Sequence, residues 1–311
     1  MKLSLAYLGP TGTNSETAAL TYSAWLSKNQ QFTTTLCPYP SIALALQSVA
    51  RGEVDLAVVP IENSIEGSVT VVLDTLWQSS NLQVHQELTL PIYHGLLSFS
   101  QSLEQLKTIY SHPQALAQCQ KWLENFLPQV QLVPTRSTTE GIKLLKEDLT
   151  AAAIASPRAS ELYQVPLLES DIKDSPDNCT RFWIISSQVS DKPDGQSERA
   201  DRRLATTGDA TASRTSLRGS HLSLAFSLSK NAPGALVKAL EIFARREINL
   251  SKIESRPTKR SLGEYIFFMD LEGNSHNPEI IEALAELSKC TEILQIFGNY
   301  NKLDVEITSF N

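Results

Sequence analysis

The sequence predicts an α/β protein: a larger unit built on a mostly parallel sheet, followed by a small ferredoxin-like βαββαβ domain. Three observations predict it. Strand-like and helix-like runs alternate through about the first 185 residues, the pattern of a sheet with helices laid on its faces. Between Ser190 and Ser220 only Leu204 and Leu217 are large apolar residues, so this stretch reads as a flexible linker that cannot bury enough to order itself. Beyond it, strand, helix, two strands, helix and strand follow one another to the C-terminus, the order of a split βαβ unit. The expected division is 1–188, 189–220 and 221–311. The first part is long enough for two lobes.

Taken in order, residues 3–8 alternate as a strand and lead into the turn Gly9-Pro10-Thr11-Gly12-Thr13-Asn14-Ser15. A helix follows, with Ala18, Ala19, Tyr22 and Trp25 at helical spacing; Asn14 or Ser15 is the expected N-cap. Residues 41–51 form a second helix stopped by Gly52, and the apolar run Val54–Ile61 reads as a buried strand of the parallel type. Val69, Val72, Leu73 and Leu76 mark the next helix. Leu88 to Phe99 reads as one strand, Thr108–Tyr110 as another, and Leu116, Cys119, Leu123 and Phe126 as one face of a single helix. Val130–Val133 is a strand, and Ser137 with Glu140 three residues on makes a capping box for the helix that follows. Ala151–Ala155 is a strand of small residues before a helix at about 157–163. Then Asp177-Asn178-Cys179-Thr180-Arg181-Phe182 opens into the apolar run Trp183-Ile184-Ile185. In the C-terminal part, Leu222, Leu224, Phe226 and Leu228 alternate strictly, and a strand pair at 248–253 and 264–271 reads as a hairpin. So small a sheet has an open face and exposed edges, so self-association is expected.

Composition excludes several classes. The net charge of −7, without a Lys/Arg run, argues against nucleic acid. No stretch of about 18 apolar residues exists to span a membrane. The N-terminus has no signal-peptide pattern, and Cys37, Cys119, Cys179 and Cys290 show neither disulfide nor zinc spacing. A reducing cytoplasm is the expected location. No metal is expected, and without a Gly-x-Gly-x-x-Gly or P-loop no cofactor is either.

What remains is hydroxyls, amides and an Arg. In open α/β sheets ligands lie beyond the carboxyl ends of strands, against helix N-termini. Four such turns carry hydroxyls: Thr11/Thr13, Ser64/Ser68, Ser111 and Ser137/Thr138. Each alone is an N-cap and no more; together with Thr180 and Arg181 at a strand mouth they make a polar anion pocket if they converge. Guanidinium grips carboxylate in a fork, and hydroxyls donate further hydrogen bonds. His112 at a helix start reads as a hydrogen-bonding or packed residue rather than a general base. Glu62 and Glu66 read as turn residues, with no second acidic pair facing them.

Taken together, these motifs resemble the prephenate dehydratase family. The stretches that carry the resemblance are Leu8-Gly9-Pro10-Thr11-Gly12-Thr13, Val59 to Val69, Ser111-His112-Pro113-Gln114-Ala115-Leu116 with Gln118-Cys119, and Asn178-Cys179-Thr180-Arg181-Phe182. The C-terminal domain resembles the ACT domain of the same enzymes. The resemblance implies a two-lobed, periplasmic-binding-protein-like catalytic domain with its site in the cleft. It implies decarboxylating dehydration of prephenate to phenylpyruvate in phenylalanine biosynthesis, with Thr180, Arg181 and Phe182 as the catalytic group. Thr180 is then the donor to the leaving hydroxyl, and Arg181 holds a carboxylate or locks the loop. Thr11, Asn63, Ser64, Gly67, Ser111, His112, Gln118 and Thr138 are implied to bind substrate. Asn231, Gly234, Ala235 and Leu236, with Glu254, Ser255, Arg256 and Pro257, are implied to bind phenylalanine as a feedback ligand at an interface of a homodimer or homotetramer.

One departure stands out. The family often has Ser-Thr-Ala and further alanines where this chain has Ser137-Thr138-Thr139-Glu140-Gly141, and the bulk of Thr139 is expected to narrow the cleft. Arogenate, the aminated analogue taken by plant-type relatives, is therefore an alternative substrate. A solute-binding receptor of the same architecture and a purely regulatory amino-acid sensor are the non-catalytic alternatives. Truncation near residue 188 is expected to leave an active enzyme deaf to phenylalanine.

Overall fold

The structure, a computed structural model, describes residues 2–188 and 219–304. The expected linker at 189–220 therefore lies almost wholly outside the described residues. The first lobe runs β1 (Lys2–Leu8), α1 (Asn14–Gln30), β2 (Thr33–Tyr39), α2 (Ile42–Ala50), β3 (Leu56–Asn63), β4 (Gly67–Ser68), α3 (Thr70–Gln78) and β5 (Leu82–Pro91). The chain then builds a second lobe from β6 (Gly95–Ser98), β7 (Thr108–Ser111), α4 (Pro113–Ala117), α5 (Gln120–Phe126), β8 (Gln131–Pro134), α6 (Thr138–Leu144), β9 (Ala151–Ala155), α7 (Pro157–Tyr163) and β10 (Leu167–Glu169). It returns to the first lobe with β11 (Cys179–Ser187). The C-terminal domain is β12 (His221–Leu228), α8 (Ala235–Ala244), β13 (Leu250–Pro257), β14 (Tyr265–Glu272), α9 (Pro278–Leu287) and β15 (Thr291–Leu303), in the expected βαββαβ order.

Each lobe has its own sheet, ordered β5-β11-β3-β1-β2 in the first and β10-β6-β9-β7-β8 in the second. Both are mixed rather than mostly parallel. β1 runs parallel to β2 and β3, but β11 is antiparallel to both its neighbours, β3 and β5. The reason is the second crossing between lobes: β11 re-enters from the far lobe and so runs against the strands that left. The first crossing divides the run Leu88–Phe99, expected as one strand, into β5 and β6. Pro91 is the last residue of β5, and Ile92 N makes one more bond to Asn178 O at 2.8 Å before the chain crosses. The helix expected to carry Leu116 through Phe126 is likewise two. The Asp174 carboxylate accepts from the Lys121 and Trp122 backbone N–H groups at 3.0 and 3.1 Å and caps a fresh start for α5. α1 is capped by Thr13, not Asn14 or Ser15: the Thr13 hydroxyl accepts from Glu16 N at 3.3 Å.

β11 is buried on both faces, and its side chains alternate between two cores. Phe182 and Ile184 pack with Tyr7, Tyr22 and the α1 side. Trp183 and Ile185 pack with α2, α3 and with Ile266, Phe268, Phe297 and Tyr300 of the C-terminal domain. That domain is not a separate bead. One face of its sheet closes on the first lobe, with Trp77 edge-on to Phe268 and Trp183 edge-on to Tyr300 at ring distances of 6.4 and 5.9 Å. Its edge strand β15 also pairs in parallel with β5, Asn301–Leu303 against Gln86–Leu88, so the two sheets are continuous. Gly298, at φ 149, makes the approach possible, because a Cβ there would stand 2.3 Å from Val84 O.

Candidate active site

The cleft between the lobes has a volume of about 950 Å³. The first lobe contributes the turn from Leu8 to Ser15, the β3–β4 hairpin, and Thr180 and Phe182 of β11. The second contributes His112, Gln114 and Gln118 around α4, Arg136 to Glu140 at the start of α6, and Lys143 in its last turn. Ile92 and His94 lie on the crossing between them.

At the centre of this wall, the Asn63 side chain fixes Thr180. The two residues are cross-strand partners of β3 and β11. Asn63 Oδ1 accepts from the backbone N–H groups of Ile65 and Glu66 at 3.0 and 3.1 Å, which fixes which end of the amide is which. Its Nδ2 hydrogens are shared among Thr180 Oγ1 at 2.9 Å, Asn178 Oδ1 at 2.8 Å and Cys179 O at 3.0 Å. Thr180 Oγ1 is thus an acceptor toward Asn63, and its own O–H has no acceptor among the described residues. Its hydrogen is free to be donated into the cleft.

The chain of amides continues across the lobes. Asn178 Nδ2 donates to Gln118 Oε1 at 2.9 Å, and Gln118 Nε2 donates to the Glu66 carboxylate at 3.1 Å. A carboxylate without a proton only accepts, so Gln118 presents its oxygen to Asn178 and His94. His94, 2.8 Å away, then donates from Nε2. Burial holds His94 below its ordinary pKa, against the hydrogen bond to Gln118. Each side chain in this line makes at least one hydrogen bond to the next.

Several expected site residues do not reach the cleft. Arg181 is the main correction. On a strand, neighbours point to opposite faces, so with Thr180 and Phe182 toward the cleft Arg181 points away. Its guanidinium meets Glu62 and Glu87 at 2.6 Å each and Asp270 of the C-terminal domain at 3.1 Å. Burial opposes its charge, but the Glu87 and Asp270 carboxylates hold its pKa above the ordinary value. It is not available to a substrate carboxylate. Ser111 is fully buried and donates to Ile154 O at 2.7 Å, which ties strand to strand. Ser64 braces the 177–179 turn: its hydroxyl accepts from Cys179 N at 3.0 Å. Thr11 is exposed and gives its place on the cleft wall to Thr13 and Asn14. Gly67, His112, Gln118 and Thr138 do line it. Gly67 sits at φ 80 and closes the hairpin, and His112 caps α4 through a 3.3 Å bond from Gln114 N to Nδ1. Thr139 turns its hydroxyl to Ser137 at 3.2 Å and its methyl toward Gly12 of the facing lobe. The capping box at Ser137 is modified: Ser137 Oγ accepts from Glu140 N, while Glu140 reaches back to Arg136 N at 2.7 Å.

Residue patterns did not single out Glu66, His94, Asn178, Arg136 or Lys143 as parts of the site. Arg136 and Lys143 are the two Lys/Arg side chains on the cleft wall. Neither has an ion-pair partner among the described residues. The signal was present, since Arg136 precedes the capped start of α6 and Lys143 lies in its last turn, but nothing local distinguishes them from solvated surface charges.

In the C-terminal domain, Asn231 donates to Gly263 O at 3.0 Å and lines a small cavity of about 170 Å³ with Thr258, Arg260, Tyr265 and Glu292. Gly234 starts α8 at φ 77, with Ala235 and Leu236 in its first turn. Glu254, Ser255, Arg256 and Pro257 lie on edge strand β13. Arg256 is turned toward the first lobe, where it pairs with Asp74 of α3 at 3.2 Å, and none of these four lines the cavity.

Among known proteins, the prephenate dehydratase family profile matches residues 5–190 and the ACT domain profile residues 223–289. The chain is 37% identical over 302 residues to a prephenate dehydratase of Lactococcus lactis subsp. cremoris, covering 96% of this chain and 98% of that one. It is 38% identical to a bifunctional chorismate mutase/prephenate dehydratase of Aquifex aeolicus, covering 97% and 74% respectively. Among solved structures, prephenate dehydratase from Arthrobacter aurescens in complex with L-Phe superposes with a TM-score of 0.78 at 32% identity, covering 98% of this chain and 92% of that one.

Proposed function

The chain belongs to the prephenate dehydratase family, lyases that convert prephenate to phenylpyruvate, and from that premise we propose how its cleft performs the reaction. The ring C–carboxylate bond breaks, its electron pair enters the ring, and the ring hydroxyl leaves with the electron pair of the opposite C–O bond. One proton turns that hydroxyl into water, and CO2 and an aromatic ring remain. Aromatisation drives the reaction, so the protein has only to orient the substrate and stabilise the oxygen as it leaves.

Thr180 is the donor to the leaving oxygen. The observation that carries this role is the Asn63 amide, which occupies Thr180 as an acceptor and leaves its O–H free for the cleft. The ring carboxylate must lose its charge, and a cation on it would hold back the electrons that have to leave. Arg136 and Lys143, on the opposite lobe from Thr180, are therefore assigned to the side-chain carboxylate, which survives in the product. Gln118, Asn178 and His94 keep the wall in shape, Phe182 lies against the ring, and Thr138 and Asn14 supply further donors.

The ACT domain binds phenylalanine as a feedback ligand in this reading, as the dehydratase solved with L-Phe suggests. Association of copies through the C-terminal domain is part of it. So is a cytoplasmic setting, which suits four free cysteines and the lack of any membrane-spanning helix among the described residues. The test is steady-state turnover of prephenate and arogenate side by side, with and without phenylalanine. Prephenate turnover suppressed by phenylalanine is expected. Preference for arogenate would move the substrate assignment, and tight prephenate binding without turnover would point to a receptor.

A further inference from the structure

The β3–β11 pair presents two successive cross-strand couples to opposite sides. Asn63 and Thr180 face the cleft; Glu62 and Arg181, one residue along each strand, face the C-terminal domain. Asp270 of β14, 2% exposed, reaches Arg181 at 3.1 Å, and Lys252 of β13 reaches Glu62 at 3.4 Å and the Ser68 hydroxyl at 2.6 Å. The cluster also holds Glu87, which accepts from Arg181 and from Trp183 Nε1. A buried set of charges adds little stability over a well-packed apolar patch of the same volume, but it fixes register and orientation. Here the register it fixes is that of the strand bearing the reactive hydroxyl.

We propose that Arg181 is a positioning residue through which the C-terminal domain, by way of Asp270, holds Thr180 in place for the reaction. The Arg181 fork joins three elements, β3, β5 and β14, and a shift of the C-terminal sheet against the lobe moves β11 at the residue next to Thr180. The domain need not approach the cleft to act on it.

The kinetic arm of the test rests on the dehydratase reading; a second arm does not. In the full chain, Asp270→Asn lowers kcat about tenfold with KM within about twofold, the signature of a lost transition-state contact. It also shifts the Thr180 γ-methyl resonance in threonine-labelled protein. Asp74→Asn, which removes an inter-domain ion pair outside this cluster, with Arg256 and Lys259, leaves both readouts unchanged. Arg181→Lys combined with Asp270→Asn is no slower than Arg181→Lys alone, because both act through one contact. Should Asp270→Asn fail to fold, Ser223→Ala, which removes only a hydrogen bond to Asp270, gives the same changes at smaller size. The proposal is overturned by wild-type kcat with an unmoved methyl signal, by an equal loss in Asp74→Asn, or by multiplicative losses in the double variant. Absence of prephenate turnover in the wild type would sink the dehydratase reading, while the methyl signal still decides the role of Arg181.

Discussion

A threonine hydroxyl is a poor acid, so its value at the reacting centre lies in where its hydrogen points. Thr180 has that direction set by one neighbour, and two substitutions separate the hydroxyl from its orientation. Thr180→Ala removes the donor and is expected to lower kcat by at least about 100-fold, the scale of losing one donor to developing charge, with an unchanged circular dichroism spectrum. Asn63→Asp keeps an oxygen for the Ile65 and Glu66 N–H groups but replaces the amide hydrogens with an acceptor. The Thr180 proton is then drawn to the introduced carboxylate, away from substrate, and kcat falls on the order of 100-fold, while the melting temperature also falls because Asn178 Oδ1 and Cys179 O lose their donor. On the opposite lobe, Arg136→Met and Lys143→Met act on binding. Each is expected to raise KM for prephenate several-fold, with kcat within about twofold, as loss of uniform binding does. A drop in kcat with KM unchanged would place these cations at the reacting end instead.

At the scale of elements, β11 decides the site because it is a strand. Period-two alternation places Thr180 and Phe182 on one side and Arg181 and Trp183 on the other. That alternation was readable in Thr180-Arg181-Phe182-Trp183, yet a motif of adjacent polar residues invites all of them into one site. Which face met the cleft was not readable, since both faces are buried. The crossing that carries His94 makes its own prediction. Burial lowers the His94 pKa in the folded chain, so on acidification the unfolded chain takes up the proton first. The contribution is fully present above the ordinary histidine value of about 6.5 and is lost as pH falls from there through the depressed folded value. Melting temperature should drop between pH 7 and pH 5, and drop less in His94→Gln; equal slopes would show that His94 does not take part.

At the scale of the molecule, the C-terminal domain is joined to the first lobe by sheet, core and charge. This changes the expectation for truncation near residue 188. Removing the domain would take away packing partners of Trp183 and Ile185 and bare that face, unpair the edge of β5, and leave Glu87 and Arg181 without Asp270. Each large apolar side chain bared costs about 1.5–3 kcal/mol, and a few of them are a large share of a domain's stability of about 5–15 kcal/mol. The truncated chain is expected to melt well below the full chain and to lose turnover with it. A truncated protein with wild-type melting temperature and kcat would show that the two units are independent.

The sequence by itself determined the α/β class, the βαββαβ order of the last domain, most element positions and the family, because periodicity, caps and ordered motifs are local features of the chain. It also marked Thr180, Asn63, Gln118 and Thr138. Tertiary structure alone decided that β11 runs antiparallel, that Leu88–Phe99 is two strands in two lobes, and that the small domain's open face and edge close on the large one. It alone turned Arg181 toward Asp270, 89 residues away in sequence, and brought Arg136 and Lys143 to face Thr180. Hydrogen bonds and ion pairs between distant residues depend on how the chain returns on itself, and no local pattern encodes that return.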